Sequence, residues 1–386
     1  MCSGLLEEPV EAYHRLFVWV KPRHTLLLGS RTNTMKNASI QSLIDCGTNL
    51  YLDSIDPTLV AQNLAWGAVG ATSNPIIISG LIRTGRFDDS IVKYVEKGQD
   101  DTAVCWSITN DLVSDAQKEF HPVWQKTKGD AGWVSFELDP LLEDPKLCMP
   151  HSERVSNYIS LGKKWAAGHD NRMIKVPATP AGLDALEELA AAGVTLNVTL
   201  IFTMRQYELA RDAVWRGAKR RKSLDSFKSV YSIFVSRIDQ YTADHCKQLS
   251  ADAQGEYGIF NAKRIWLANQ KFWAEHPTPL KQEIIFASTG TKNAADAPWK
   301  YVAALAGSDI QTNPPDTNAA VANSNQNFIR NVDSLISESI AKELDAAVNV
   351  PHMETTLMEQ GVAKFVAPQK QLLQTIQEKR EALTKA

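Results

Sequence analysis

Cysteine is scarce in this chain, and its thiols are scattered. The five cysteines are Cys2, Cys46, Cys105, Cys148 and Cys246, and no two of them have C-x-x-C spacing. Disulfide frameworks belong to oxidising compartments, so the pattern predicts reduced thiols and a cytoplasmic location. The eight histidines form no H-x-x-x-H pair and no cluster with cysteine, which argues against a structural metal site.

The sequence also lacks an excess of basic charge and any long apolar run. Its 41 Lys and Arg residues are offset by 44 Asp and Glu residues, which leaves a net charge of −3. No stretch approaches the roughly 20 apolar residues of a membrane helix. Neither nucleic acid nor a membrane is therefore an expected partner. An apolar content of 44% in 386 residues is instead typical of a globular protein with a large core.

The first 34 residues differ in character from the rest of the chain. They contain Glu7, Glu8 and Glu11, which argue against an organelle transit peptide. We interpret residues 1–34 as an N-terminal extension of unclear role, with Met35 as an alternative start. Residues 35–386 are interpreted as one structural domain.

Short apolar runs rich in β-branched residues alternate with longer helical stretches. The candidate strands are Leu50–Ser54, Gly70–Asn74, Trp133–Leu138, Met173–Val176, Thr195–Ile201, Val230–Arg237, Glu283–Ser288 and Asp309–Asn313. This alternation is the βα signature of a parallel sheet, and eight units favour a closed (β/α)8 barrel of the TIM type with additional helices. An open doubly wound sheet is the alternative, although no G-x-G-x-x-G motif follows any strand.

Several helices can be delimited from the signals at their ends. Thr179 suits an N-cap, Pro180 a first turn and Gly193 the end of one helix. Another helix is expected at residues 106–126, between the second and third strands. Residues 325–348 and 356–384 are expected to be helical beyond the last strand, and Pro368 should kink or restart the final helix.

Lys175 is the most informative polar residue, because it lies within the apolar fourth strand. Active sites of parallel α/β barrels form at the carboxyl ends of the strands, so polar residues there are candidates for chemistry. Burial favours the neutral form of a lysine, and a neutral amine is what Schiff-base formation with a ketone requires. The alternative is a lysine at a strand end that pairs with a carboxylate and has no catalytic role.

Asp53, at the end of the first strand, and Glu137, in the third, are candidates for proton transfer. Cleavage of a sugar carbon–carbon bond removes a hydroxyl proton, and imine chemistry moves further protons. Two carboxylates held apart could divide this work. Each also has a structural alternative. Asp53 could cap a helix that begins near Pro57, and Glu137 could be a surface residue before a turn at residues 139–140.

Arg237, Ser288 and Lys292 are candidate phosphate ligands. Arginine presents a planar fork of donors, and the loop from Ser288 to Lys292 adds hydroxyl and backbone N–H donors.

These motifs, in this order, resemble the transaldolase family over about residues 41–330. The matching stretches are Leu52-Asp53, Thr72-Ser73-Asn74-Pro75, Val134-Ser135-Phe136-Glu137, Ile174-Lys175-Val176-Pro177-Ala178-Thr179, Asn197-Val198-Thr199-Leu200 and Ser232-Ile233-Phe234-Val235-Ser236-Arg237. The lysine motif and the Asn-x-Thr-Leu motif form the most specific pair. The loop from Ala287 to Asn293 looks like the longer phosphate loop of one transaldolase subfamily. Common small transaldolases have Ser-x-Arg there, so Lys292 would stand in for that arginine.

The resemblance implies transfer of a dihydroxyacetone unit between sugar phosphates in the non-oxidative pentose phosphate pathway, without a cofactor or a metal. The donors would be sedoheptulose 7-phosphate or fructose 6-phosphate, and the acceptors glyceraldehyde 3-phosphate or erythrose 4-phosphate. It implies that Lys175 forms the imine and that Asp53 acts on the C4 hydroxyl. Glu137 would assist imine formation and hydrolysis through a water held by Thr199. Contacts with the substrate are implied for Asn74, Asn197, Ser232 and Phe234, and contacts with its phosphate for Arg237, Ser288 and Lys292.

Two rival functions remain open at this point. Fructose-6-phosphate aldolases resemble this chain in fold and lysine, but they carry Gln where Glu137 stands and Tyr where Phe234 stands. The residues present here therefore favour transfer over free aldol cleavage. The other rival is a non-catalytic barrel kept for binding. The expected partners are small sugar phosphates, and a homodimer is one of the oligomeric states that the sequence leaves open.

Overall fold

Eight parallel strands close into one barrel in the computed structural model, which describes residues 37–384. The strands are β1 (Asn49–Leu52), β2 (Gly70–Thr72), β3 (Trp133–Glu137), β4 (Arg172–Pro177), β5 (Leu196–Ile201), β6 (Ser229–Phe234), β7 (Glu283–Ala287) and β8 (Ile310–Asn313). Pairing of β1 with β8 closes the barrel. The (β/α)8 prediction is confirmed, and the open-sheet alternative is wrong. The predicted extension at residues 1–34 lies outside the described residues, so the domain boundary stays a prediction.

Helices alternate with the strands. Within residues 37–384 they are α1 (Ala38–Asp45), α2 (Pro57–Trp66), α3 (Pro75–Arg83), α4 (Asp88–Glu96), α5 (Asp101–Lys126), α6 (His151–Ala166), α7 (Pro180–Ala191), α8 (Met204–Ala218), α9 (Ser236–His245), α10 (Tyr257–Glu275), α11 (Lys300–Ala304), α12 (Pro315–Ala322), α13 (Glu338–Ala347) and α14 (Val350–Thr384). The predicted ends of α7 are confirmed. The Thr179 hydroxyl accepts a hydrogen bond from the Gly182 N–H at 3.1 Å, and Gly193, just after the helix, has a left-handed backbone with φ of +90°. None of the helices in this range has the length and apolar character needed to cross a bilayer.

The pleat of the strands explains where polar side chains collect. Alternate residues of a strand point to the same face, so every second side chain faces the barrel interior. Tyr51 and Met173 belong to an apolar cluster that fills this interior. Two residues further along the chain stand Asp53, just after β1, and Lys175, within β4, where the chain reaches the carboxyl edge of the barrel. In these two strands an apolar side chain in the barrel is therefore followed by a polar one at its mouth. The opposite end of the barrel also buries polar groups, since Glu283 accepts hydrogen bonds from Asn49 and Lys228.

The sixth strand is shorter than predicted. It ends at Phe234, and Arg237 lies in the first turn of α9 rather than in the strand. Val235 already has right-handed helical backbone angles. The Ser236 N–H then donates to the Ser288 carbonyl at 3.1 Å, which directs the start of α9 toward the loop after β7.

The region after the barrel also departs from the prediction. Residues 325–337 are not helical, and only α13 forms within the predicted segment 325–348. The Lys263 ammonium donates to the carbonyl oxygens of Asn331 and Ser334 at 2.8 and 2.6 Å, so a distant side chain bonds to this backbone in place of a helical ladder. Helix α14 begins at Val350 rather than at residue 356, and it continues through Pro368 instead of restarting there.

Helix α14 passes across the mouth of the barrel. Near its start, the His352 Nδ1 lies 2.6 Å from the Tyr241 hydroxyl of α9. Near its end, Lys379 pairs with Asp88 of α4 at 2.6 Å. Helix α9 follows β6 and helix α4 follows β2, and these strands lie on opposite sides of an eight-stranded barrel. The middle of α14 must therefore cross between them.

Candidate active site

One cavity of about 200 Å³ opens at the carboxyl ends of the strands. Nine predicted site residues line it: Asp53, Asn74, Lys175, Thr199, Ser232, Phe234, Arg237, Ser288 and Lys292. They lie in or just after β1, β2, β4, β5, β6 and β7. Glu137 and Asn197 complete the predicted set from positions behind the lining. Closure of the barrel thus brings residues that are distant in sequence into one site.

Lys175 is buried in the cavity wall, with 6% of the residue exposed. Its Nζ lies 3.2 Å from the Oε2 of Glu137. The two residues stand opposite each other in the parallel pairing of β3 with β4, which fixes their separation. The alternative of a non-catalytic Lys175 correctly anticipates a carboxylate partner. That partner is Glu137, which is itself predicted to act in imine chemistry.

Glu137 is a buried carboxyl, so its interpretation as a surface residue is wrong. Its side chain is only 10% exposed. Burial raises the pKa of Glu137 to about 7 against the opposing effect of the Lys175 ammonium, and the negative charge of Asp53 adds to the rise. A carboxyl with a pKa near neutrality can both donate and accept a proton at about pH 7.

Asp53 projects into the cavity and is oriented by a threonine. Its Oδ1 accepts a hydrogen bond from the Thr72 hydroxyl at 2.7 Å. The hydroxyl of Thr72 also lies 3.2 Å from that of Thr312. Helix α2 is capped by Asp56, which accepts from the Thr58 N–H at 2.8 Å. The helix-cap alternative for Asp53 is therefore wrong.

Thr199 presents a buried hydroxyl that has no hydrogen-bond partner among the described residues. The pairing of β5 with β6 shifts register between Val198 and Ile201, and Leu200 adopts a left-handed backbone with φ of +57°. Such backbone strain in a non-glycine residue is often found at functional sites. A buried hydroxyl of this kind can be satisfied by a water or a substrate group in the cavity.

A short chain of hydrogen bonds runs behind the cavity wall. Asn197 is fully buried; its Nδ2 donates to the Ser135 hydroxyl at 2.9 Å, and its Oδ1 accepts from the Ser232 hydroxyl at 2.7 Å. Ser232 lines the cavity, so Asn197 holds it from behind. Asn74 lines the cavity and also caps α3, accepting from the Ile77 N–H at 3.1 Å. Direct contact of Asn197 with a substrate stays a prediction.

The start of α9 and the loop after β7 meet at one end of the cavity, which we call the cationic end because Arg237 and Lys292 lie there. The hydroxyls of Ser236 and Ser288 lie 2.9 Å apart, which joins the start of α9 to the loop after β7. Ser288 has a left-handed backbone with φ of +55°. Arg237 and Lys292 come from the two joined segments and both line the cavity. Burial lowers the pKa of Lys292, and the nearby guanidinium of Arg237 lowers it further. Two cations that line the same end of a cavity suit a site for an anion.

Several cavity residues have no counterpart among the predicted site residues. Lys364 and Phe365 of α14 line the cavity, as do Thr72 and Thr312. The Nζ of Lys175 lies 5.4 Å from the ring centroid of Phe365. In the sequence, Phe365 contributes only to the apolar component of a helix, and Lys364 carries no signal that separates it from a solvated lysine.

The acidic, thiol and imidazole side chains form no metal-binding group in the described region. Among residues 37–384, no set of three or more His, Cys, Asp or Glu side chains could hold a metal ion. The cavity's own side chains can supply an amine, acid–base groups and anion ligands.

The sequence matches known proteins over nearly the whole barrel. Residues 50–376 match the family described as Transaldolase/Fructose-6-phosphate aldolase. A transaldolase of Mycolicibacterium smegmatis is 28% identical over 91% of this chain and 100% of its own length. Transaldolases of Mycobacterium bovis and Mycobacterium marinum are each 30% identical. They cover 88% and 91% of this chain and 97% and 99% of their own lengths. This chain therefore belongs to the transaldolase/fructose-6-phosphate aldolase family.

Proposed function

We propose that the chain acts as a transaldolase, transferring a dihydroxyacetone unit from a ketose phosphate to an aldose phosphate through a Schiff base on Lys175. The main support is the contact of 3.2 Å between Lys175 and Glu137, whose pKa is raised to about 7. An amine that adds to a ketone and expels water needs a proton donor and acceptor beside it. The relatives described above are named transaldolases, which favours transfer over free aldol cleavage.

Imine formation uses the amine and its neighbouring acid. The amine of Lys175 adds to C2 of the ketose, and the resulting carbinolamine loses its hydroxyl as water. Glu137 supplies the proton that the departing hydroxyl requires. Thr199 holds the water that relays this proton, using the hydroxyl that has no partner among the described residues. The same groups act in reverse when the imine is hydrolysed.

Carbon–carbon cleavage is assigned to Asp53. Its carboxylate removes the proton of the C4 hydroxyl, the C3–C4 bond breaks, and its electron pair enters the iminium to form an enamine. The aldose departs while the dihydroxyacetone unit stays on Lys175. The enamine then attacks an acceptor aldose, and Asp53 returns its proton to the new alkoxide. Thr72 holds one carboxylate oxygen at 2.7 Å and leaves the other for the substrate.

Substrate orientation is assigned to the polar wall and to the cationic end of the cavity. Hydrogen bonds to the dihydroxyacetone unit come from Asn74 and from Ser232, which Asn197 holds from behind. Phe234 packs near the imine. The phosphate is bound by the guanidinium fork of Arg237, the hydroxyl of Ser288 and the ammonium of Lys292.

The substrates in this proposal are small sugar phosphates, and the location is the cytoplasm. The cysteines of the described residues are Cys46, Cys105, Cys148 and Cys246, and all are free thiols. Free thiols are the usual state in a reducing compartment, which supports this location.

Borohydride trapping with fructose 6-phosphate tests the imine. Reduction should attach a substrate-derived carbon chain to the peptide that contains Lys175, and mass spectrometry would identify the peptide. Lys175→Met should abolish the adduct. Lys342→Met should leave it unchanged, because that lysine is 75% exposed on α13. Absence of an adduct, or an adduct on another lysine, would overturn the proposal.

The acceptor distinguishes a transaldolase from its rivals. With fructose 6-phosphate and erythrose 4-phosphate, the protein should form sedoheptulose 7-phosphate and glyceraldehyde 3-phosphate. With fructose 6-phosphate alone, free dihydroxyacetone should appear only slowly. Rapid release without an acceptor would favour an aldolase, and binding without any turnover would favour a non-catalytic barrel.

A further inference from the structure

The cationic end of the cavity contains a cation that the mechanism above does not use. Lys364 of α14 lines the cavity together with Arg237 and Lys292. Burial lowers the pKa of the Lys364 ammonium, and the positive charges of Arg237 and Lys292 lower it further. The three side chains are thus close enough to affect one another's charge.

The charges of the cavity wall are unbalanced. Lys175 is paired with Glu137, but the described lining also holds the cationic side chains of Arg237, Lys292 and Lys364, and its only other carboxylate is that of Asp53. Within residues 37–384, neither Lys292 nor Lys364 forms an ion pair with a carboxylate. Lys292 and Lys364 line the cavity and are also exposed to solvent, and like charges placed together at the rim of a cavity attract an anion. The arrangement therefore points to an anionic ligand at this end.

The fold holds Lys364 over the cavity. Helix α14 is fixed to α9 through His352 and to α4 through Lys379. Pro368 lies inside this helix and has no N–H, so it cannot donate a hydrogen bond to the backbone carbonyl of Lys364 four residues earlier. The position of this turn therefore depends on the contacts at the two ends of α14. The adjacent Phe365 reaches the Lys175 end of the cavity, while Lys364 reaches the cationic end. One turn of α14 therefore contacts both ends of the cavity.

We propose that Lys364 is a third ligand of the substrate's phosphate group and that the C-terminal helix completes the active site. This inference rests on the proposed function, because the anion is the phosphate of the same sugar. Arg237, Lys292 and Lys364 come from three separate elements, α9, the loop after β7 and α14. Each can approach a different terminal oxygen of a phosphate monoester. Contact with three cations selects phosphorylated sugars over free ones.

Lys364→Met tests the inference, because it removes the ammonium and keeps an unbranched side chain. The KM for fructose 6-phosphate should rise about tenfold or more, as expected for the loss of one charge-assisted hydrogen bond, with a smaller effect on kcat. Lys364→Arg should restore most of the affinity. Imine trapping with unphosphorylated dihydroxyacetone should proceed as in the unaltered protein. Lys342→Met controls for the change in net charge.

Calorimetry with inorganic phosphate measures the same contact without turnover, and Lys364→Met should weaken this binding about tenfold or more. Unchanged phosphate affinity and unchanged KM would refute the role of Lys364 and leave the proposed transaldolase function untouched. Equal losses with phosphorylated and unphosphorylated substrates would also overturn it, because they indicate damage to the imine chemistry or to the fold. If the unaltered protein binds phosphate through Lys364 but traps no imine, the proposed function fails while the anion site stands.

Discussion

Lys175 and Glu137 stand opposite each other on β4 and β3, with 3.2 Å between the Nζ and the Oε2. Their separation is set by the pairing of two barrel strands rather than by a flexible loop. Burial holds the pKa of Glu137 at about 7, where a carboxyl exchanges its proton readily in neutral solution. The contact therefore joins a buried amine to an acid–base group suited to forming and hydrolysing an imine.

Glu137→Gln should slow imine formation by about a hundredfold or more, the usual contribution of a general acid–base group. In the unaltered protein, the rate should fall as pH rises through about 7, because Glu137 then loses the proton that the departing hydroxyl requires. Glutamine does not titrate, so this fall should be absent in the variant. Timed samples from reactions at different pH, quenched into one borohydride solution, give both profiles. Identical pH dependence would remove Glu137 from the role.

Asp53→Ala should leave imine trapping detectable and slow carbon–carbon cleavage by roughly a hundredfold or more. Asp53→Asn is the matched variant, because it keeps the shape that contacts Thr72 and removes only the basic carboxylate. Mass spectrometry after borohydride quenching distinguishes the uncleaved hexose adduct on Lys175 from the three-carbon adduct. The uncleaved form should accumulate in both variants, and normal turnover in either would contradict the assignment.

The barrel was predictable because its strands are buried on both faces and read as continuous apolar runs. Every residue of β5, from Leu196 to Ile201, is buried, and a polar residue in such a strand is conspicuous. Lys175 and Thr199 stood out for this reason. The boundary between β6 and α9 could not be predicted in this way, because no side chain caps α9 and the apolar run of β6 continues through Val235.

Lys364 could not be identified from the sequence. A lysine on a helix of mixed polarity faces solvent or a cavity according to where the helix lies, and helical periodicity does not contain that information. The course of α14 depends on distant contacts, such as that between Lys379 and Asp88. The failed helix at residues 325–337 has a similar cause, since its carbonyl groups bond to Lys263 of α10.

Asp239 should make the stability of the fold fall as pH rises toward 7. Burial raises the pKa of Asp239 to about 7, so the folded protein keeps a proton that the unfolded chain releases at lower pH. The contribution of this proton to the free energy of unfolding is complete below the pKa of Asp239 in the unfolded chain. It decreases by about 1.4 kcal/mol per pH unit up to the pKa of Asp239 in the folded protein. Asp239 accepts hydrogen bonds from the Gly258 N–H and the Tyr301 hydroxyl, and so joins α9 to α10 and α11.

Asp239→Asn removes this titration and preserves the shape of the side chain. Denaturant midpoints measured between pH 5 and pH 7 should therefore fall less steeply in the variant than in the unaltered protein. Asp345→Asn is the matched control, because Asp345 is 51% exposed on α13, and it should retain the original slope. Equal slopes in all three proteins would contradict a buried, titrating Asp239.

Phe365 should limit the loss of the three-carbon unit to water. Its ring centroid lies 5.4 Å from the Nζ of Lys175, and the residue is only 8% exposed. An enamine on Lys175 has two fates. Attack on an aldose completes transfer, whereas protonation of its carbon followed by imine hydrolysis releases free dihydroxyacetone. An apolar ring over the amine excludes water and therefore favours the first.

Phe365→Ala should raise the ratio of free dihydroxyacetone to transfer product severalfold, while Phe365→Leu, which keeps an apolar cover, should stay close to the unaltered protein. The ratio is measured in one reaction with fructose 6-phosphate and erythrose 4-phosphate, so a general loss of activity cancels from it. A variant that loses both products in equal proportion would show that the ring only supports the packing of α14. A selective rise in the alanine variant would instead mean that the C-terminal helix helps determine whether the barrel transfers its three-carbon unit or releases it.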